Sequence, residues 1–127
     1  MNPEYIEISE VLYRAVTSNP FMWKATVNRP SSAVFKDSHG ASVDRDGGRT
    51  VHECCDYMET HLCFPLKAII SITAKSCEVI GVLPVPRATA DNPFHAEIHE
   101  SVSLMKISDK KARQLALQSQ IVRNLPV

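Results

Sequence analysis

The sequence RPSSAVFKDSHGASVDR, from Arg29 to Arg45, contains two arginines, four serines, a histidine and two aspartates. Two short apolar-polar runs, SAVF at 32–35 and ASV at 41–43, flank the polar connection KDSHG. This pattern predicts a β-hairpin in which Gly40 takes a positive φ. Such a ribbon would hold its polar side chains away from the core of the domain.

The polar side chains of this stretch suggest a contact surface. Forked arginine donors and serine hydroxyls suit a phosphate or a carboxylate, although the chain has no glycine-rich phosphate loop. The alternative is an exposed hairpin whose aspartates and arginines pair with one another. The predicted contacts with a ligand or a protein partner are Arg29, Ser31, Ser32, His39, Ser42 and Arg45.

The composition of the 127 residues is that of one ordinary globular domain, with 44% hydrophobic and 22% charged residues. Lysine plus arginine and aspartate plus glutamate number 14 each, so the net charge is zero. Nucleic-acid binding needs an excess of basic groups, and the balance argues against it. The same balance gives little electrostatic protection against self-association, which leaves a homo-oligomer open.

Location and redox state follow from the apolar runs and the cysteines. No apolar stretch is long enough for a bilayer span, and the N-terminal MNPEYIEISE lacks the order of a secretion signal. Adjacent Cys54 and Cys55 are poor disulfide partners, and a chain of this size can fold without disulfide bonds. We therefore expect Cys54, Cys55, Cys63 and Cys77 to be reduced thiols in a cytoplasmic protein that does not contact a membrane.

Two main helices are predicted. Thr50 and Glu53 form a capping box, which starts a helix over Val51–Leu62. A second amphipathic pattern predicts a helix over Asp109–Asn124. Residues 73–81 fit either a strand or a helix, and the threonine before them and glycine at their end favour a short helical turn.

The predicted strands share β-branched and aromatic residues or a clean alternation of apolar and polar residues. They cover residues 11–16, 66–73, 82–85 and 94–99. Pro84 places the third of them at a sheet edge. We therefore expect a single α+β domain with a mostly antiparallel sheet of about five strands under the two helices, and a loose lead-in at residues 1–10.

His95, Glu97 and His99 fall on one face of the last predicted strand. Two imidazoles and a carboxylate suit metal binding or proton transfer, and the alternative is a solvated strand face. Because further ligands would have to come from elsewhere in the chain, we expect no metal. If a metal did bind, His95 and His99 would be its candidate ligands. Cys54, near a helix N-terminus and beside His52, is a candidate nucleophile.

The order of several motifs resembles the ADP-ribosyltransferase fold and its RES-type relatives, which consume NAD. The chain has LYR in its opening strand, SSAVF after a later arginine, a helix with His-Glu near its start, and a glutamate in a late strand. The resemblance implies that Arg14 grips the cofactor, that Ser31 or Ser32 supplies a hydroxyl, and that Glu97 is the late acid. Without the resemblance, Arg14 is read as half of an ion pair at a sheet margin.

Two functions follow from these observations. The first is a small binding or accessory module that acts through a protein partner, with residues 29–45 as the contact surface and no cofactor. The alternative is an NAD-processing enzyme that uses Arg14, Ser32 and Glu97.

Overall fold

The chain forms eight strands, three helices and two short 3-10 turns in the computed structural model, which describes residues 1–125. The strands are β1 Val11–Thr17, β2 Trp23–Lys24, β3 Arg29–Pro30, β4 Ala41–Arg45, β5 Leu66–Thr73, β6 Leu83–Pro86, β7 His95–His99 and β8 Gln120–Asn124. The helices are α1 Val51–His61, α2 Ala74–Ile80 and α3 Asp109–Gln118. The 3-10 turns cover Pro20–Met22 and Ser32–Phe35.

A six-stranded antiparallel sheet in the order β6-β7-β4-β1-β5-β8 organises the molecule, and β2 and β3 form a small separate ribbon. This architecture confirms the predicted α+β fold, with one strand more in the main sheet than expected and with α2 as a third helix. Among the described residues, no helix has the length and apolar character needed to cross a bilayer.

The two faces of the sheet bury different clusters. Leu12 and Val16 of β1 point to a face covered by α2, α3 and the turn Ser32–Phe35. Tyr13, which alternates with them, points to the opposite face, where α1 packs its buried residues, Cys54 among them. The central strand β1 is thus covered on both sides, and positions between β1 and α1 are sheltered from solvent.

Several local predictions are confirmed. The Thr50 hydroxyl accepts from the Glu53 amide while the Glu53 carboxylate accepts from the Thr50 amide, so the capping box opens α1. Thr73 caps α2, and Gly81 ends it at φ 92°. Strand β6 lies at a sheet edge, where Pro84 and Pro86 remove two backbone donors.

The predicted hairpin at residues 29–45 is wrong. Ser32–Phe35 is a 3-10 turn, and β4 pairs with β1 and β7 instead of with a strand before it. The physical reason is that Val34 and Phe35, which are consecutive, are both buried in the same core, and a strand alternates its side chains between two faces. Gly40 does take the predicted positive φ, at 92°.

The last helix is shorter than predicted, since α3 ends at Gln118 and β8 follows at once. The β-branched residues Ile121 and Val122 pack as strand residues, and β8 covers the edge of β5. The pairing of β8 with β5 shifts register between Ile69 and Ile70, which marks a bulge in this edge strand. Periodicity alone did not separate the end of the helix from the strand.

Arg45 holds the N-terminal lead-in against the sheet. Its side chain is 2% exposed, and its Nε and Nη2 donate to the two carboxylate oxygens of Glu10 at 2.6 and 2.7 Å. The same guanidinium donates to the carbonyl oxygens of Asn2 and Tyr5. Residues 1–10 form no helix or strand, but these bonds mean that the lead-in is held rather than loose.

We expect Arg45→Met to lower the free energy of unfolding by about 3–5 kcal/mol, because it leaves the buried Glu10 carboxylate without its partner. Denaturant unfolding followed by circular dichroism measures this loss. Arg113→Met, on the exposed face of α3, is the control and should change stability little. Equal stability of the two variants would contradict the structural role of the Arg45 bonds.

Gly40 and Gly48 form a second matched pair. Both have a positive φ, 92° and 76°, but a Cβ at Gly40 would lie 2.5 Å from His99 Cδ2, whereas one at Gly48 meets no described atom within 4 Å. Gly48→Ala should cost about 1–2 kcal/mol from backbone strain alone, and Gly40→Ala clearly more. Thermal unfolding of both variants checks the order, and a Gly40→Ala protein as stable as Gly48→Ala would contradict it.

Candidate binding cavity

A cavity of about 410 Å³ lies between the sheet and the C-terminal half of α1. It opens where β1 and β4 part, since these strands pair only at Leu12–Arg45 and Tyr13–Asp44. Its apolar lining is formed by Ala15, Met22, Val43, Met58, Leu62 and Phe64, and its polar lining by Arg14, Thr17, Asp37, Ser42, Asp44, His61, Asn92 and His95. The site thus combines an apolar floor with a polar wall.

Arg14 fills the gap between the parted strands. Its Nε donates to the Val34 carbonyl and its Nη1 to the Ser42 carbonyl, both at 2.7 Å, and its Nη2 to Asp37 at 3.1 Å. The side chain is 11% exposed, and it lies near the Phe35 ring. Burial lowers the pKa of the Arg14 guanidinium, and the Asp37 carboxylate opposes that shift. Arg14 is therefore in an ion pair, as one prediction had it, but inside the sheet and not at its margin.

Asp44 is the buried acid of the cavity. It is 6% exposed, and its Oδ1 accepts a hydrogen bond of 2.9 Å from Asn92 Nδ2. Among the described residues, its second carboxylate oxygen has no hydrogen-bond partner, and it is not one of the buried unpaired atoms, of which Arg49 Nη1 is the single case. An accessible acceptor on a largely buried side chain is thus left at the wall of the cavity.

Two histidines beside Asp44 have a defined orientation. His95 is the cross-strand neighbour of Asp44, and its Nδ1 lies 3.0 Å from the Arg87 carbonyl. His61 Nδ1 lies 3.0 Å from the Tyr57 carbonyl in the same way. Because a carbonyl only accepts, both Nδ1 atoms carry a proton, so Nε2 is the ring atom that can accept in the neutral form.

The residues predicted for an NAD site do not line a common cavity. Arg14 lines the cavity described here and also donates to Val34 of the 3-10 turn that Ser32 begins, but neither Ser32 nor Glu97 is among the lining residues. Glu97 Oε1 accepts from His99 Nε2 at 2.8 Å and lies 3.7 Å from Arg87 Nε. The NAD-processing alternative stays a prediction, without geometric support from these three positions.

The predicted contact surface at residues 29–45 is largely used by the protein itself. Arg29 donates to the carbonyls of Ala116 and Ser119 and so caps the end of α3, and Ser31 donates to the carbonyl of Phe21. The Arg45 side chain forms hydrogen bonds with Glu10 and with backbone carbonyls of residues 1–10. His39 is exposed in a turn, and Ser42 is the residue of the set that lines the cavity. Contact with a protein partner stays a prediction.

The stripe on β7 is present, but it is not a solvated face, since His99 is buried against Glu97. Within residues 1–125, no group of three or more histidine, cysteine, aspartate or glutamate side chains is placed to hold a metal ion. Reasoning from the sequence missed Asp44, Asn92 and His61. Ser42 and Asp44 alternate with two apolar residues, which indicates that they share a polar strand face. The pairing of β4 with β7, which sets Asp44 beside His95, cannot be read from a single sequence.

The cysteines do not form a reactive site in the folded chain. All four are free, and only Cys63 is exposed. Burial raises the pKa of Cys54 and Cys55, and it raises that of Cys77 to about 12. A nucleophilic cysteine needs the opposite shift, so the environment of Cys54 is that of a packing residue.

Comparisons with known proteins found no matching protein-family model, no matching curated protein and no matching solved structure. The function is therefore argued from the cavity.

We expect the folded protein to show one fast-reacting thiol with an aromatic disulfide reagent at about pH 8, because Cys63 is the exposed cysteine and burial raises the pKa of Cys54, Cys55 and Cys77. Unfolding in guanidinium should release the other three. Cys63→Ser is the control that removes the fast phase. A second thiol reacting at a similar rate in the native protein would contradict the burial of Cys54, Cys55 and Cys77.

Proposed function

We propose that this chain is a binding domain that takes a small organic ligand in the cavity between the sheet and α1. The observation that carries the proposal is the buried Asp44 carboxylate, which lines the cavity with one oxygen unpaired beside an apolar floor. Ligand sites commonly have volumes of about 300–1,000 Å³, largely apolar walls and a few fixed polar groups. The cavity lies within this range of volume and combines apolar side chains with polar groups that the fold holds in place, such as Arg14 and Asp44.

The cost of burying Asp44 supports a binding role. A largely buried carboxylate loses much of its hydration, and a packing role alone is met more favourably by an apolar residue. Asn92 satisfies one oxygen and fixes the carboxylate in place. A ligand that donates to the second, accessible oxygen would form a hydrogen bond to a group that the fold already holds in position, which lowers the cost of ordering the site on binding.

The apolar side of the cavity supports the same function. Met22 and Met58 have flexible thioether side chains that adapt to the shape of a bound group. Phe64 is 47% exposed although it borders the cavity. An apolar ligand would cover this ring and remove its surface from water, which gives the hydrophobic part of the binding free energy.

The proposal keeps the predicted class of a binding module and gives it a different site. Arg14, which was predicted to grip the cofactor in the NAD-processing alternative, and Ser42, which was predicted as a contact residue, border the cavity. The protein partner at residues 29–45 remains a further proposal, which rests on the exposed His39 and its neighbours and not on the arginines.

The test is a fragment screen by NMR on protein with carbon-13 methionine methyl groups. The chain has four methionines, of which Met22 and Met58 line the cavity while Met1 and Met105 do not. We expect fragments with an aromatic or aliphatic body to shift the signals of Met22 and Met58 and to leave the other two unchanged. No fragment that shifts the first pair selectively would overturn the proposed function.

The variant Ala15→Phe provides a second test, because a phenyl ring at position 15 would occupy the cavity. This variant should abolish the shifts, whereas Ala90→Phe, at an exposed position outside the lining, should keep them. Loss of the shifts in both variants, or in neither, would show that the fragments bind elsewhere.

A further inference from the structure

We infer that the cavity selects organic cations, namely ligands that place a protonated amine on Asp44 and an apolar body on the floor of the cavity. The inference rests on the proposed function and adds the chemical class of the ligand. It is argued from the balance of charge in the cavity, from the acceptors around Asp44 and from the bonds that already occupy Arg14.

The charge of the cavity is negative. Arg14, Asp37 and Asp44 are its acidic and basic lining residues other than histidine, so one positive charge stands against two negative ones and the sum is −1. The positive charge is already balanced, since Arg14 pairs with Asp37 at 3.1 Å. The hydrogen-bond partner of Asp44 is the neutral amide of Asn92. The negative charge of Asp44 is therefore not balanced by a positive charge in the cavity.

Asp44 and two histidines offer acceptors to a ligand in the cavity. The second oxygen of Asp44 has no partner among the described residues, and because the Nδ1 atoms of His95 and His61 donate to carbonyls, the Nε2 atoms of these lining residues are acceptors whenever the rings are neutral. A primary ammonium brings three N–H donors and no acceptor, which matches such a wall. A carboxylate ligand brings only acceptors and would meet the Asp44 charge directly.

Arg14 does not make the cavity an anion site. Three of the five guanidinium N–H groups donate to Val34, Ser42 and Asp37. The remaining donors are available to a neutral hydroxyl or carbonyl of the ligand. The role of Arg14 is thus to hold the parted strands, while Asp44 supplies the charge that recognises a ligand.

Three probes of matched shape test the inference: phenethylamine as cation, phenethyl alcohol as neutral analogue and phenylacetate as anion. Each is titrated into the unaltered protein, and affinity is read from the methyl signals of Met22 and Met58. We expect phenethylamine to bind about tenfold more tightly than the alcohol, as a charge-assisted hydrogen bond provides, and phenylacetate to bind most weakly. Equal binding of the three probes, or tightest binding of the acid, would overturn the inference and leave the proposed function intact.

Asp44→Asn removes the charge and keeps the shape of the side chain, because the amide carbonyl can still accept from Asn92. This variant should lose the tenfold preference for the amine and bind the amine no more tightly than the alcohol. Asp91→Asn, an exposed position that does not line the cavity, is the control and should keep the preference. An amine preference that survives in a folded Asp44→Asn protein would overturn the role of Asp44. If no probe shifts the two methionines in the unaltered protein, the proposed function fails and the inference fails with it.

Discussion

The insertion of the Arg14 side chain between β1 and β4 is the interaction on which the site depends. Two neighbouring strands that part leave backbone carbonyls without partners, and each unpaired buried carbonyl destabilises the fold. The Arg14 side chain supplies such a bond at the Ser42 carbonyl of β4, and it also donates to the Val34 carbonyl of the turn Ser32–Phe35. Part of the hydrogen bonding that the parted strands lose is thereby restored, and the space between the sheet and α1 is kept open.

Sequence patterns predicted the elements whose signals are local. The capping box at Thr50 and Glu53 specifies the start of α1 from four consecutive residues, and the alternation of β7 specifies its two faces. Sequence patterns failed to predict the segments whose conformation is decided by tertiary packing. Val34 and Phe35 become a 3-10 turn because both side chains enter one core, and residues 120–124 become a strand because the edge of β5 requires one.

The candidate site was only partly predictable for the same reason. Arg14 stood out as a charged residue in an apolar strand, and its partner Asp37 lies 23 residues further along the chain. The sheet order makes Asp44 of β4 and His95 of β7 neighbours, and the packing of α1 on the sheet brings His61 to the same cavity. A single sequence states which residues are polar on each strand, but it does not state which strands lie side by side.

The two ends of the main sheet have a consequence for a chain with no net charge. Such a chain lacks the mutual repulsion that keeps many proteins dispersed, so its exposed strands decide whether copies join into fibrils. Prolines interrupt β6, and the irregular register of β8 twists that strand away from a flat template. Growth of the sheet from one copy to the next is thereby disfavoured at both borders, and the backbone geometry of the edges supplies the protection against fibril formation that charge does not.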